Sequence, residues 1–233
     1  MKFHIRGKYD KMELKIIYED NHLISVVKKH GVPVQQDASG DSDLLNEIKG
    51  YLKEKYFKPG NVFSGIVHRL DRPVGGVMVF AKTSKAASRL SEQIRKREWK
   101  KKYLAVIDGI PEEKTGKFED FLIKDRENNI VSVTEDITPG SKKAVLSYRI
   151  ILNDSKRSIV EIDLETGRSH QIRVQFASRG YPIVNDFKYN HSIDILRGEI
   201  ALWAYSLEIF HPVSREKLVL TAEMPEEMAK LFF

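Results

Sequence analysis

The sequence contains no cysteine in its 233 residues. This excludes disulfide bridges, thiolate metal ligands and a cysteine nucleophile, and it suits a reducing compartment such as the cytoplasm. No apolar run approaches the ~20 residues that a membrane span needs. The basic N-terminus lacks the apolar core of a signal peptide. We therefore predict a cytoplasmic protein with no membrane partner.

Acidic residues are in the minority, with 33 Asp+Glu against 39 Lys+Arg and a net charge of +6. A moderately basic surface suits a polyanion such as nucleic acid, but many soluble proteins carry a similar excess, so charge alone does not decide the partner. The chain is long enough for one domain with a sizeable core. We predict a short N-terminal extension at 1–12 and a single domain at 13–233, with either Met1 or Met12 as the natural start.

The spacing of apolar residues indicates many short strands and a few isolated helices. The predicted elements are strands at 14–20, 22–28 and 103–109, hairpins at 143–164 and 202–222, and helices at 43–55, 84–97, 169–179 and after Pro225. Because strands dominate and helices come singly, we predict an α+β fold. Its sheet should be mixed and mostly antiparallel, flanked by a few helices.

One acidic residue stands in a basic turn between two apolar runs. Asp71 lies between Arg69 and Arg72, and Pro73 with a following pair of glycines makes the turn tight. A turn aspartate that bonds its own backbone would explain the residue without any function. The flanking arginines and apolar strands favour instead a carboxylate held at the mouth of a sheet, beside cations that attract phosphates.

A second cluster of cations is predicted at the start of a helix, in the segment TGRSHQIR at 166–173. Arg168, His170 and Arg173 would stand where the helix dipole disfavours positive charge. A carboxylate such as Asp71, or a phosphate at the helix N-terminus, would relieve this. The alternative is that these arginines reach the acidic side chains of the preceding strand.

The helix at 84–97 ends in a run of cations that extends to Lys102. Cations at a helix C-terminus are first explained by the helix dipole and a solvated face, with RNA backbone contact as the alternative. Tyr103 follows this run at a strand start. Packing is the ordinary role of such a tyrosine, and stacking on a base extracted from RNA is the functional alternative.

Three segments resemble, in order and spacing, the RluA-type family of RNA pseudouridine synthases. They are HRLD with its two glycines at 68–76, KY with its following glycine at 102–109, and TGRSHQIR at 166–173. The similarity extends over about 16–220. It implies the pseudouridine synthase fold, a bent sheet with a central basic cleft. It also implies isomerisation of specific uridines to pseudouridine in structured RNA, either ribosomal or transfer RNA.

The resemblance also implies roles for individual residues. Asp71 would be the catalytic aspartate and Arg168 the cation paired with it. Tyr103 would stack on the target uracil, and Arg69 would enter the gap left by the flipped nucleotide. The remaining cations, implied as support or RNA contacts, are Arg72, His170 and Arg173.

The reaction implied by the resemblance replaces the C–N glycosidic bond with a C–C bond within one nucleotide, so we expect neither a cofactor nor a metal. RNA is the expected partner, and a monomer without protein partners is our default. Family members usually have a glycine before the aspartate that follows the third segment, whereas this chain has Asn185 before Asp186. The segment ahead of Ile16 is too short for the S4-type RNA-binding module of many relatives. RNA selection is then expected to rest on the catalytic domain.

Two other functions compete with this interpretation. One is a non-catalytic RNA-binding or ribosome-assembly protein, and the other is a metal-dependent nuclease using His68, Asp71, His170 and Asp186. The arginines around Asp71 argue against a divalent cation there. An acid facing phosphates would not benefit a protein that only binds RNA. The sequence leaves open which RNA and which uridine are modified, whether Asp71 attacks as a nucleophile or deprotonates the ribose, and the oligomeric state.

Overall fold

A computed structural model describes residues 14–134, 137–191 and 198–232, so the extension predicted at 1–12 lies outside the described residues. The strands are β1 Lys15–Glu19, β2 Leu23–Lys28, β3 Gly65–Ile66, β4 Gly75–Ala81, β5 Lys100–Asp108, β6 Thr115–Asp125, β7 Ile130–Thr134, β8 Lys142–Asn153, β9 Arg157–Leu164, β10 Leu202–Phe210 and β11 Lys217–Thr221. The helices are α1 Leu44–Lys55, α2 Ser84–Arg95, α3 Gln171–Ala177 and α4 Glu226–Ala229.

The described strands form one sheet of 11 strands, in the order β1-β2-β4-β10-β5-β9-β8-β6-β7, with β11 beside β10 and β3 beside β4. Among the described strands, β4 and β10 are the parallel pair and the other neighbours are antiparallel. This confirms the predicted fold class, a mixed and mostly antiparallel sheet with few helices.

The two glycines at the start of β4 allow this strand to approach β10 closely. A Cβ atom added to Gly75 would lie 2.3 Å from the Trp203 ring, and one added to Gly76 would lie 2.2 Å from the Ala204 carbonyl oxygen. Gly76 also has φ +124°, a backbone conformation that favours glycine. Glycine is therefore required here by packing, and the turn just before β4 is fixed against the centre of the sheet.

The predicted helices and hairpins are present, with one shift that affects the site. Asp43 and Thr83 accept hydrogen bonds from backbone N–H groups in the first turns of α1 and α2. The helix predicted from residue 169 begins later, at Gln171, because His170 has left-handed backbone angles, φ 51° and ψ 18°. No described helix is long and apolar enough to cross a membrane.

Candidate active site

Asp71 lies in the turn between β3 and β4, and the backbone rather than its side chain closes that turn. The Val74 N–H donates to the Asp71 carbonyl oxygen at 3.0 Å. From inside the fold, the Lys28 Nζ donates to the carbonyls of Arg72 and Val74, at 2.9 and 2.7 Å. The Asp71 side chain is 27% exposed. The alternative that this carboxylate bonds its own turn is therefore not what the structure shows.

The cation beside Asp71 is Arg173, from the first turn of α3. Its Nη1 lies 3.4 Å from Asp71 Oδ2. Its Nε and Nη2 donate to the two carboxylate oxygens of Asp186, at 2.8 and 2.6 Å. Burial alone would lower the pKa of Arg173, but the hydrogen bonds and negative charges of Asp186 and Asp71 raise it on balance. Arg173 therefore stays charged while bridging two carboxylates.

One prediction about the arginines needs correction. The predicted pairing of Asp71 with Arg168 is wrong, because Arg173 holds that position and the Arg168 Nε donates to the Lys143 carbonyl oxygen at 2.9 Å. The prediction that Arg173 contacts RNA stays a prediction; its side chain is 6% exposed and pairs with Asp186 and Asp71. Because α3 starts at Gln171, Arg168 lies outside the helix on an exposed loop, whereas Arg173 lies in the first turn of the helix.

The loop that carries Arg168 is tied to strand β8. The Thr166 hydroxyl accepts a hydrogen bond from the Val145 N–H at 2.8 Å. The buried Gln171 side chain accepts from that hydroxyl at 2.7 Å and from the Arg168 N–H at 3.0 Å, and it donates to the Val145 carbonyl at 3.1 Å. The backbone on both sides of Arg168 is therefore held firmly while its guanidinium remains exposed.

A cavity of about 80 Å³ connects the predicted catalytic residues. We call it the Asp71 cavity; Asp71, Arg168, Tyr103 and Arg69 all line it. Tyr103 is buried, and burial, reinforced by the negative charge of Asp71, raises the pKa of its hydroxyl. The structure thus brings these four side chains together around one small opening, with a neutral aromatic ring as one wall.

His170 also lines this cavity, and it is 8% exposed. Its Nε2 lies 3.9 Å from Asp71 Oδ2, and its Nδ1 lies 2.7 Å from the Tyr189 hydroxyl. Burial lowers its pKa, even though the nearby Asp71 charge acts in the opposite direction. His170 is therefore an internal neighbour of Asp71 and is not placed on the surface.

The two arginines that flank Asp71 face different surroundings. Arg69 is exposed, and among the described residues no carboxylate lies within ion-pair distance of it. Arg72 turns the other way, donating to the Gly31 carbonyl at 2.9 Å and pairing with Asp37 and Asp41. Arg69 is therefore available to a polyanion, whereas the charge of Arg72 is partly neutralised by the protein.

Two larger grooves adjoin the Asp71 cavity, and Arg69 and Arg168 line both. The helix-side groove, about 430 Å³, is also lined by Arg95, Arg97 and Lys101. The loop-side groove, about 540 Å³, is lined further by the cations Lys124 and Lys188. Other members of the basic run pair with carboxylates: Lys96 with Glu92, Lys100 with Glu208 and Lys102 with Glu161.

Sequence reasoning missed Lys28 and misjudged Asp186, because both act from inside the fold. A lysine at the end of an apolar strand gives no sign that its amine will reach a turn 44 residues away. The sequence suggests Asp186 as a metal ligand in the nuclease alternative, whereas in the structure Arg173 engages both of its oxygens. Asn185 has φ +60°, a left-handed conformation that asparagine tolerates better than most residues.

Lys28→Met tests whether this lysine holds the turn of Asp71. Burial lowers the pKa of Lys28 from 10.5 to about 7. The folded chain therefore binds fewer protons than the unfolded chain between those values, and raising the pH favours folding. We expect the difference in free energy of unfolding, native minus Lys28→Met, to increase from pH 7 to pH 10 in urea titrations. Turnover should fall about tenfold or more because Asp71 loses its fixed position.

The neighbouring Lys29 is exposed and provides the matched control. Lys29→Met should leave both turnover and the pH dependence of unfolding as in the native chain. A Lys28→Met protein with native turnover would show that the turn holds its shape without the buried Lys28 side chain.

Comparisons with known proteins agree with this geometry. The family model for RNA pseudouridylate synthases matches residues 22–178. A ribosomal large subunit pseudouridine synthase D from Zymomonas mobilis is 33% identical over 230 residues, covering 94% of this chain and 72% of the relative. The chain belongs to the RNA pseudouridylate synthase family. An RNA pseudouridine synthase of Bacillus subtilis is 32% identical over 221 residues, covering 94% of this chain and 71% of that protein.

Solved structures support the fold independently. The human RNA pseudouridylate synthase domain containing 4 superposes with a TM-score of 0.78 at 21% identity, covering 92% of this chain and 90% of the human chain. The predicted family and its RluA-type resemblance are confirmed. As a member of this family, the chain is an enzyme that isomerises uridines in RNA.

Proposed function

We propose that this pseudouridine synthase modifies uridines in large-subunit ribosomal RNA and that Asp71 performs the chemistry. The choice of RNA is supported by relatives from Zymomonas mobilis and Buchnera aphidicola that are named ribosomal large subunit pseudouridine synthases. The single observation that carries the role of Asp71 is its partly exposed carboxylate in the Asp71 cavity, with the guanidinium of Arg173 3.4 Å away.

The chemistry needs a carboxylate and a place to hold a base. The N1–C1′ bond breaks, a C5–C1′ bond forms, C5 loses a proton and N1 gains one, so the product is an isomer of the substrate. A carboxylate can attack the sugar or deprotonate it to start this sequence. Arg173 supports that step from within the protein, because a buried and paired cation keeps its position while charge moves between the carboxylate and the nucleotide.

A stacked uridine cannot reach a carboxylate that is only 27% exposed, so the target must first leave its stack. Flipping costs a few kcal/mol, which stacking on an aromatic ring and cationic contacts to phosphates would offset. We propose Tyr103 as the aromatic platform. Arg69 and Arg168 at the mouth of the Asp71 cavity, together with Arg95, Arg97 and Lys101 in the helix-side groove, would bind the backbone.

Arg69→Ala tests the base-flipping role of the exposed arginine. Because Arg69 would fill the gap left by the extruded nucleotide, we expect turnover to fall more on a structured RNA than on a single-stranded RNA of the same sequence. The measurement is the ratio of single-turnover rates on the two RNAs. Arg126→Ala, which removes an equal charge from an exposed residue beyond β6, is the control. Equal losses on both RNAs would contradict the flipping role.

Release of the C5 hydrogen from labelled uridine in ribosomal RNA tests the activity directly. Mapping the pseudouridines that disappear in a deletion strain would identify the RNA and the positions. A chain that binds ribosomal RNA but releases no C5 hydrogen would support the non-catalytic alternative. Loss of activity in chelator would support a metal-dependent enzyme, although Asp186 is engaged by Arg173 and the His68 Nε2 accepts the Val79 N–H at 3.0 Å.

We further propose that the enzyme acts as a monomer in the cytoplasm. Support for the cytoplasm comes from the absence of cysteine, and support for the monomer from the Asp71 cavity and the helix-side groove, both of which a single chain lines. Sedimentation at the concentration used for activity assays tests the monomer, and fractionation of cells tests the location. An obligate dimer, or a membrane-bound pool, would overturn the respective proposal.

A further inference from the structure

His170 is held in a conformation that its own backbone disfavours. Its φ of 51° is in the left-handed region, which only a few per cent of residues other than glycine adopt, histidine, asparagine and aspartate more often than the rest. Its side chain makes no capping hydrogen bond to α3. Such outliers cluster at functional sites. The side chain therefore has to be explained by what it meets inside the Asp71 cavity.

The hydrogen bonds of Tyr189 determine which ring nitrogen of His170 carries the proton. The Val131 N–H can only donate, and it donates to the Tyr189 hydroxyl oxygen at 2.9 Å. Among the described residues, the acceptor left for the hydroxyl hydrogen is His170 Nδ1, at 2.7 Å. Nδ1 is therefore an acceptor, and in the neutral ring the proton is on Nε2. Burial, which lowers the pKa of His170, favours that neutral ring.

The resulting Nε2–H donor faces the cavity without a partner. Asp71 Oδ2, at 3.9 Å, is too distant for a hydrogen bond. Nε2 is not fully enclosed by the described protein atoms, so it is accessible from the cavity that His170 lines. A fixed, unpaired donor beside the reacting carboxylate is suited to an acceptor that arrives with the substrate.

We propose that the Nε2–H of His170 donates a hydrogen bond to a carbonyl oxygen of the flipped uracil. The proposal rests on the isomerisation proposed above. When the N1–C1′ bond breaks with its electrons on the base, negative charge spreads onto the carbonyl oxygens, and a preorganised donor stabilises it. His170 gives up no proton in this step. A phosphate would instead meet the exposed Arg69 and Arg168 at the rim, whereas His170 lies inside.

The first test exchanges the donor while keeping its size. The side chain of His170→Gln can present an N–H near the position that Nε2 occupies in the native chain, whereas that of His170→Leu cannot. We expect the kcat of His170→Leu to be about tenfold below that of His170→Gln, the size of one hydrogen bond, with similar KM and RNA affinity. Equal kcat values in the two variants would overturn the proposal. Circular dichroism and thermal unfolding verify that both variants are folded.

The second test uses the native chain and does not depend on a variant folding. Nitrogen-15 NMR of labelled histidine reports the tautomer, and we expect the His170 proton on Nε2. Tyr189→Phe keeps the aromatic ring but removes the hydroxyl, and it should mix the tautomers and lower kcat without changing KM. Tyr148→Phe, which removes a hydroxyl bonded to the Glu113 carbonyl elsewhere, is the control. A native His170 protonated on Nδ1 would overturn the proposal.

The third test changes the acceptor. In 2-thiouridine and 4-thiouridine, sulfur replaces one of the two carbonyl oxygens of uracil, and sulfur accepts hydrogen bonds poorly. The analogue that replaces the oxygen bound by His170 should slow turnover by the native chain. The same analogue should slow His170→Leu far less. If both analogues slow both proteins equally, the uracil carbonyl is not the partner of His170. A native chain that releases no C5 hydrogen from ordinary RNA would instead refute the proposed function itself.

Discussion

Asp71→Asn should abolish isomerisation while leaving the fold and the RNA affinity largely intact. The amide has the size of the carboxylate but can neither attack the sugar nor take its proton, so we expect turnover to fall more than about 10⁴-fold. The turn should survive because it is closed by the Asp71 carbonyl and by the Lys28 Nζ, neither of which the substitution removes. Single-turnover release of the C5 hydrogen and a filter-binding titration measure the two quantities.

Asp163→Asn is the matched control, because it neutralises an exposed carboxylate of β9 that lies 3.7 Å from Lys102. It should change neither rate nor affinity noticeably. Substantial activity in Asp71→Asn would remove Asp71 from the chemistry. Lost RNA affinity with a native fold would indicate that the carboxylate contributes to binding, contrary to the proposed role.

Most of the fold could be predicted from the sequence because its signals are local. Alternating apolar residues marked the strands. Apolar residues at helical spacing predicted the helices at 43–55 and 84–97, which the structure confirms as Leu44–Lys55 and Ser84–Arg95. The start of α3 could not be predicted in this way. His170 interrupts a helical pattern through its left-handed backbone, and contacts from distant Tyr189 accompany that conformation. Tertiary context there outweighs local propensity.

The sequence predicts which residues form the candidate site, but not which arginine pairs with Asp71. The motifs placed Asp71 and the TGRSHQIR segment in one site, and the structure brings them to one cavity. Choosing Arg173 over Arg168 as the partner of Asp71 requires knowing which arginine is buried. The burial of Arg173 depends on Asp186, which lies 13 residues further along the chain. Its carboxylate pairs with the guanidinium and offsets the cost of burying that charge.

Arg173→Met should be the most destabilising of the changes considered. It removes the cation from Asp186, whose side chain is fully buried, and leaves an uncompensated buried charge, at a cost of about 3–5 kcal/mol in free energy of unfolding. Activity should fall together with stability, because Asp71 loses its guanidinium. Urea unfolding gives the free energy, and assays well below the melting temperature separate activity from folding. Arg168→Met, which removes an exposed arginine without an ion pair among the described residues, should leave stability unchanged.

The double variant Arg173→Met with Asp186→Leu separates the structural role of Arg173 from its role beside Asp71. Replacing both members of a buried ion pair with apolar side chains can be nearly neutral, so most of the lost stability should return. Activity should not return, because no cation then stands 3.4 Å from Asp71. A double variant that regains stability and turnover together would show that Arg173 serves the fold alone. One that stays as unstable as Arg173→Met would show that Asp186 is not the reason for the loss.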